Sequence, residues 1–389
     1  MEFNIVAPRY MLVGGGTAGR IVEVLGKFGL SRPLVVTDPV MVSLGLVRRI
    51  LDPLAAAGIV AGVFSETIPE PTDAVVVAGV KALRAGDYDC LVGFGGGSPI
   101  DTAKAMAILA GGEAPMSAYK VPHAADRGAL PVIAVPTTAG TGSEATRFTV
   151  ITDAARDEKM LIAGLGALPL AGIVDFELTL SVPKRTTADT GIDALSHALE
   201  AYVSKRATPF SDALAMSAME LIGPNLRAAY MEPGNRGARE AMMLGAMQAG
   251  IAFSNASVAL VHGMSRPIGA HFHVPHGLSN AMLLPAVTRF SIPAAVARYA
   301  EASRRIGFAA AGDADEVAAE KLADGLASWN ADLAVPTPRG FGIEPGVWQA
   351  KKALMAEQAL ASGSPANNPR VPDKGEIMAL YDVVWGANS

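Results

Sequence analysis

The chain has 389 residues, of which 50% are apolar and 18% charged, and a net charge of −5; that length favours two cores over one, and that composition excludes long disordered stretches. With an acidic balance and no Lys/Arg block, the electrostatic footprint of a nucleic-acid binder is missing, which leaves small molecules as the expected ligands. A single cysteine, Cys90, excludes an internal disulfide and any site that needs two thiolates, two-cysteine zinc centres included, and fits a reducing compartment.

The opening residues, MEFNIVAPRY, contain no apolar stretch running into a small-residue cleavage site. No run of about 18 apolar residues occurs further on. A cytoplasmic protein without membrane contact is the expectation. Short β-rich runs then alternate with helical patterns: Met11–Val13, Leu34–Thr37, Cys90–Phe94, Val132–Val135 and Ile173–Val174. This alternation predicts a parallel sheet, whose carboxyl strand ends are where an α/β protein binds its ligands.

Two glycine clusters compete for a dinucleotide. Gly14-Gly15-Gly16-Thr17-Ala18-Gly19 follows the first strand and fits G-x-G-x-x-G, with Asp38 at the end of the next strand. Asp38 could accept a ribose hydroxyl and repel a 2′-phosphate, which favours NAD over NADP; the alternative is a turn-forming Asp before Pro39. Gly95, Gly96, Gly97 and Ser98 follow Leu91–Phe94 and lead into Pro99 to Lys104, where Pro99 and Asp101 suit the first turn of a helix. Bare amides at that helix start favour a pyrophosphate. Either cluster could instead be a tight turn. A third loop, Pro136 to Glu144, offers Thr137, Thr138 and Thr141 as small hydroxyl donors for ribose or phosphate, or it is a plain Ser/Thr-rich loop.

Near Leu180–Pro183 the character changes, since Ala, Leu and Met recur at helical spacing beyond it. The expected domains are therefore residues 1–181, α/β and nucleotide-binding, and residues 182–389, all-α and metal-binding. Asp193 and His197, at i and i+4 of a helical pattern, project from one face; by itself such a pair is more often solvated than metal-bound. Four of the six histidines lie between His262 and His276, around the turn-forming residues Gly263 to Gly269, and that cluster makes a metal centre the better reading. Imidazoles with one carboxylate suit Fe(2+), Zn(2+) or a similar ion, while too few oxygen donors are present for calcium. His271 and His273 have the spacing to join the set. Ala361–Pro372 reads as a polar loop.

The stretches GGGSPIDTAK (Gly95–Lys104), PTTAGTGSEAT (Pro136–Thr146), TGIDALSHALEAY (Thr190–Tyr202), HGMSRPIGAHFHVPHGLSNAMLL (His262–Leu284) and Asn368-Pro369-Arg370 together resemble the iron-containing (group III) alcohol dehydrogenases. They span almost the whole chain in the family's order. The resemblance implies an α/β dinucleotide-binding domain and a helical domain, the dehydroquinate synthase-like fold, with NAD and one metal in the cleft between them. It also implies a small alcohol or aldehyde as substrate, and a homodimer or larger homo-oligomer.

On this resemblance Asp193, His197, His262 and His276 are the metal ligands, and His271 and His273 line the pocket or are structural. Gly97, Ser98, Thr137, Thr138, Thr146, Phe148, Lys159 and Leu178 fall on nucleotide contacts, Asp38 falls on the position that selects against NADP, and the second glycine cluster is the phosphate loop. Two departures stand out. The family often has a second histidine four residues after the third ligand, where this chain has Arg266, and an Asn before Pro-Thr, where it has Glu70. Arg266 cannot relay a proton near neutral pH, so the proton would leave by water, by a cofactor hydroxyl or by a side chain such as His271. Arg266 binds an anionic substrate group, or it serves a structural ion pair or faces solvent. A zinc glycerol dehydrogenase, a maleylacetate reductase and a non-catalytic nucleotide-binding protein are the rival readings.

Overall fold

The computed structural model describes residues 2–156 and 158–386. They form two compact units, residues 6–182, and residues 183–386 with residues 2–5. The first unit carries strands β1 (Tyr10–Val13), β2 (Pro33–Val36), β3 (Gly62–Phe64), β4 (Cys90–Gly95), β5 (Val132–Pro136), β6 (Phe148–Asp153), β7 (Glu158–Ala163) and β8 (Ala171–Val174). Its helices are α1 (Ile21–Lys27), α2 (Pro39–Ser43), α3 (Arg48–Ala56), α4 (Asp73–Arg84) and α5 (Gly97–Ala110).

Six strands make one parallel sheet in the order β1-β8-β5-β4-β2-β3, while β6 and β7 pair as a separate antiparallel ribbon. Both faces of the sheet are covered, because successive side chains of a strand point to opposite sides. Leu34, Val36 and Leu91 enter one apolar cluster with Val76, Val80 and Met106. Val35, Val92 and Phe94 enter another with Ile21, Leu25 and Ile50. Strands buried on both faces read as continuous apolar runs, which is why β2, β4 and β5 are visible in the sequence. The three-residue β3 is too short to show a period, and the β6–β7 ribbon alternates buried and half-buried positions within polar residues.

Strand order also locates the ligand-binding end. From β2 the chain moves outward to β3, then returns to β4 and proceeds through β5 and β8 toward β1. The direction reverses between β2 and β4, and in an open α/β sheet the crevice for a ligand lies at that switch, outside the carboxyl ends of the two strands. Asp38 follows β2 and Gly95 ends β4.

The second unit consists of α6 (Lys184–Val203), α7 (Pro209–Met231), α8 (Arg236–Ala256), α9 (Leu260–Phe272), α10 (His276–Ser291), α11 (Val296–Ile306), α12 (Asp315–Asp332), α13 (Pro345–Ala361) and α14 (Lys374–Gly386), with no strand among the described residues. Thr208 and Ser211 form a capping box at the start of α7, and the Asn235 side chain accepts the Ala238 amide at the start of α8. Between α8 and α9 the axis bends by 103°, with Ser257 at φ +66°. The Asn367 amide spans this break, donating to Ser257 Oγ at 3.1 Å and to the Val258 carbonyl at 3.0 Å, which fixes the start of α9. Helix α6 is buried along nearly its whole length, so its polar residues Asp193, Ser196, His197 and Glu200 must find partners inside the protein. Among the described residues no single helix is long and apolar enough to cross a membrane.

Candidate metal centre and nucleotide site

Asp193, His197, His262 and His276 converge, each offering one ligand atom, and these atoms all lie within 4.8 Å of one another. Asp193 Oδ1 is the hub, with the Nε2 atoms of His262, His276 and His197 at 3.5, 3.7 and 3.8 Å. Three helices deliver the set. Helix α6 presents Asp193 and His197 one turn apart, α9 presents His262 in its first turn, and α10 begins at His276 after the cap residue Pro275. Ring stacking holds His197 in place, against Phe253 at 4.2 Å and His262 at 4.5 Å between centroids. The side chains of Asp193, His197 and His262 are at most 5% exposed but His276 is 39% exposed, so the centre opens to solvent at His276.

Close helix approach depends on Gly277. A Cβ there would stand 2.4 Å from the Asp189 carbonyl oxygen, on the turn of α6 before Asp193. Gly277→Ala therefore has to push α10 away from α6, and with it His276 from Asp193. We expect a loss of about 1–3 kcal/mol from overpacking together with weaker metal retention, checked by thermal unfolding with and without added divalent ion. Equal stabilisation of wild type and variant by the ion would contradict this account of Gly277.

Two residues not anticipated from the sequence complete the centre. Glu200 accepts His262 Nδ1 and the Val261 amide, both at 2.6 Å, and so leaves the Nε2 lone pair of His262 turned toward the cluster. Asn280 places Nδ2 2.7 Å from Asp193 Oδ1, 3.1 Å from His262 Nε2 and 3.3 Å from His276 Nε2, while its Oδ1 is buried without a partner. Both were within reach of a spacing rule, since Glu200 lies three residues after His197 and Asn280 four after His276. Burial works against ionising either Asp193 or His262, yet the neighbours win in both cases. The three imidazoles hold the Asp193 carboxyl far below the usual range, and Glu200 and Asp193 lift His262 to about 9.

A divalent cation fits this donor set. Tetrahedral donors about 2.1 Å from an ion stand roughly 3.4 Å apart, close to the spacings around Asp193 Oδ1. A cation would also favour the orphaned Asn280 amide oxygen facing it. Calcium remains excluded by the shortage of oxygen donors.

In the α/β unit the two glycine clusters part company. The amides of Gly16 and Ala18 donate to the two carboxylate oxygens of Asp175, both at 3.0 Å, so the first loop already holds an internal anion, at the edge strand β1 and away from the switch. The second cluster lies at the switch. Gly95 has φ +147°, a conformation that side chains rarely adopt, and Gly96 caps α5 with no side-chain bond. The α5 N-terminus therefore presents bare amides and the positive end of its dipole. Asp38 stands beside it. Its Oδ1 accepts the Val40 and Met41 amides, capping α2, while Oδ2 lies 3.3 Å from where a Gly95 Cβ would be. Asp38 Oδ1 thus serves the turn, which leaves the binding reading to Oδ2.

The other nucleotide candidates gather around the same loop, though not all present their functional groups. The Thr137 amide donates to the Gly95 carbonyl at 2.8 Å, Thr138 flanks Gly96, and Thr141 packs on Gly97. Asp101 is occupied as a brace, since its carboxylate accepts Ser143 Oγ at 2.6 Å and the Val150 amide at 2.9 Å. Thr146 accepts from Lys104 Nζ at its carbonyl and hydroxyl, and the same ammonium reaches the Phe148 carbonyl at 2.8 Å. Burial lowers Lys104 to about 8 against the pull of Asp101 and Glu144. These bonds tie the β6–β7 ribbon to α5. Lys159, on the ribbon, is ion-paired with Glu70, which gives the Glu70 departure a function. Leu178 is packed in the core beneath the sheet.

His271 lies about 180° around α9 from His262 and is bonded to Gln358 on α13 at 2.8 Å, so it is not the side chain that takes a proton from the centre. His273 ends α9 in the left-handed conformation. Cys90 is buried and its thiol pKa pushed up, which makes it inert.

Comparison with known proteins agrees with both halves. Residues 8–176 match the family model described as iron-containing alcohol dehydrogenase, and residues 187–385 match that of the C-terminal part of the Fe-containing alcohol dehydrogenase family. The chain is 36% identical to the NAD-dependent methanol dehydrogenase of Bacillus methanolicus, over 97% of this chain and 98% of that one. It is 33% identical to the lactaldehyde reductase of Escherichia coli strain K12, over 96% and 97%. Among solved structures, a 1,3-propanediol oxidoreductase superposes with a TM-score of 0.93 at 35% identity, covering 99% of this chain and 100% of that one.

Proposed function

The chain belongs to the iron-containing alcohol dehydrogenase family, and from that premise we propose that it interconverts a primary or secondary alcohol and the corresponding aldehyde or ketone with NAD, using one divalent ion held by Asp193, His197, His262 and His276. The observation that carries this reading is the convergence of one carboxylate and three imidazoles within 4.8 Å. Iron is the first candidate for the ion, with zinc or another divalent metal as the alternative. When bound, the ion supplies Lewis acidity toward the substrate oxygen and NAD takes the hydride.

The residues themselves do the rest. Glu200 fixes the tautomer and orientation of His262, and the stacked Phe253 and His262 rings hold His197. The half-exposed His276 marks the side from which a small alcohol enters. The amides at the start of α5 suit a pyrophosphate, and Asp38 Oδ2 suits a ribose hydroxyl. A homodimer or larger homo-oligomer in the cytoplasm is the proposed setting. Metal analysis of anaerobically purified protein, paired with NADH formation over a panel of alcohols, tests the proposal. One bound ion per chain and turnover are expected, and a protein that binds metal and NAD yet oxidises no alcohol and reduces no aldehyde would overturn it.

Asp38→Asn retains the cap on α2, for which Asn serves as well as Asp, but removes the charge that repels a 2′-phosphate. The ratio of kcat/KM with NADP to that with NAD should rise by about tenfold or more, a gain worth about 1.4 kcal/mol. An unchanged ratio would move cofactor selection elsewhere.

A further inference from the structure

We infer that Arg266 is the binding group for an anionic substituent on the substrate, so that the preferred substrates are short alcohols and aldehydes carrying a terminal carboxylate, sulfonate or phosphate. This inference rests on the alcohol dehydrogenase reading and deepens it. Arg266 follows His262 by four residues on α9 and so projects from nearly the same face, with roughly 5–6 Å between the two Cβ atoms. On the neighbouring face Gly263 packs against Pro365. That contact brings the Ser364–Asn367 turn alongside, and Ser364 Oγ accepts Arg266 Nη1 at 3.1 Å.

The partner of Arg266 differs from those of three other partly buried arginines of the helical unit, which pair directly with a carboxylate, Arg185 with Asp189, Arg298 with Asp212 and Arg304 with Asp315; Arg239, more deeply buried, reaches the Pro233 carbonyl and the Thr187 hydroxyl, away from the metal ligands. Among the described residues no carboxylate lies within ion-pair distance of Arg266, and its one hydrogen-bond partner is a neutral hydroxyl. Glu200 acts on it only through space, both Glu200 oxygens being committed to His262 and Val261. A guanidinium has five N–H donors in a planar fork shaped for two oxygens of one anion. A partly buried cation with most of that fork unclaimed, one helical turn from a metal ligand, is thus an anion-recognition group in want of its anion. Ser364 pre-orients it.

During reduction the carbonyl carbon takes the hydride of NADH, its oxygen takes a proton from solvent, and NAD is released, while the anionic group stays on Arg266 unchanged.

The test compares butanal with four-carbon aldehydes ending in carboxylate, sulfonate or phosphate, in wild type, Arg266→Lys and Arg266→Gln. In wild type, kcat/KM should favour at least one anionic aldehyde over butanal by roughly 10–100-fold, as a desolvated charge-assisted pair allows; the arm with the largest ratio identifies the anion. That ratio should fall at least tenfold in Arg266→Gln and less in Arg266→Lys. In parallel, calorimetry on metal-loaded protein without cofactor should detect succinate binding more tightly than succinamide in wild type, and the difference should shrink in folded Arg266→Gln, which keeps the metal and any carboxylate coordination to it; an equal difference in both proteins would overturn the inference. Turnover of butanal with no anionic preference in wild type would overturn this inference alone, and so would a preference that survives in a folded Arg266→Gln. If no aldehyde of either kind is reduced, the alcohol dehydrogenase reading fails first.

Discussion

Asp193→Ala should yield a protein that loses its divalent ion on dialysis and turns over alcohols at no more than about a thousandth of the wild-type rate, the loss that several kcal/mol of Lewis-acid stabilisation represents. The reason is geometric as well as electrostatic. Asp193 Oδ1 lies 3.5 to 3.8 Å from all three imidazole Nε2 atoms, and it supplies the only negative charge among the four donors. Without it, three neutral nitrogens would have to hold a divalent ion in a buried setting with no carboxylate against it, and the cost of desolvating an uncompensated charge disfavours that arrangement. Metal content by mass spectrometry and NADH formation should therefore fall together, and micromolar metal should not restore the rate. Wild-type activity in the ion-free variant would remove the metal from the mechanism.

Glu200→Gln comes next in size. The substitution preserves volume, but it replaces a carboxylate that accepts two hydrogen bonds of 2.6 Å by an amide with one acceptor and two donors. One of the Val261 amide and His262 Nδ1 then faces an NH2 group, and His262 loses the anion that orients its ring. Outer carboxylates of this kind are worth about 10–100-fold in metal affinity or activity. Competition against a chelator should show a drop of that size, while circular dichroism stays that of the wild type. Unchanged affinity would reduce Glu200 to a packing residue. Both substitutions act inside the helical unit, so neither depends on the nucleotide loops.

Much of the site was legible in the linear chain because helical periodicity puts i and i+4 on one face. That rule pairs Asp193 with His197, and applied again it reaches from His276 to Asn280 and from His262 to Arg266. Glu200 is harder to see, since a Glu in an Ala-rich helix reads as a solvated residue until α6 proves to be buried along its length. The parallel sheet was legible for a different reason: strands covered on both faces are continuously apolar, as β4 is. The ribbon of β6 and β7 lacks that signature, and so its place beside α5, secured through Asp101 and Lys104, does not show in the residue order.

Local pattern thus determined the element types, the alternation of strand and helix, and the residue types able to bind a metal, because each of these depends on neighbours within about one turn or one strand. Contacts between residues far apart in the chain lie beyond any such window, and only the folded structure decided them. Asp175 claims the amides of Gly16 and Ala18 across more than 150 positions, which removes the first glycine loop as a phosphate site; strand order then places the second at the switch point. Likewise the sequence allows His271 a place near the centre, but a half-turn of α9 sends it to Gln358 instead, and whether Arg266 meets a carboxylate or a hydroxyl depends on where the chain returns nearly a hundred residues later.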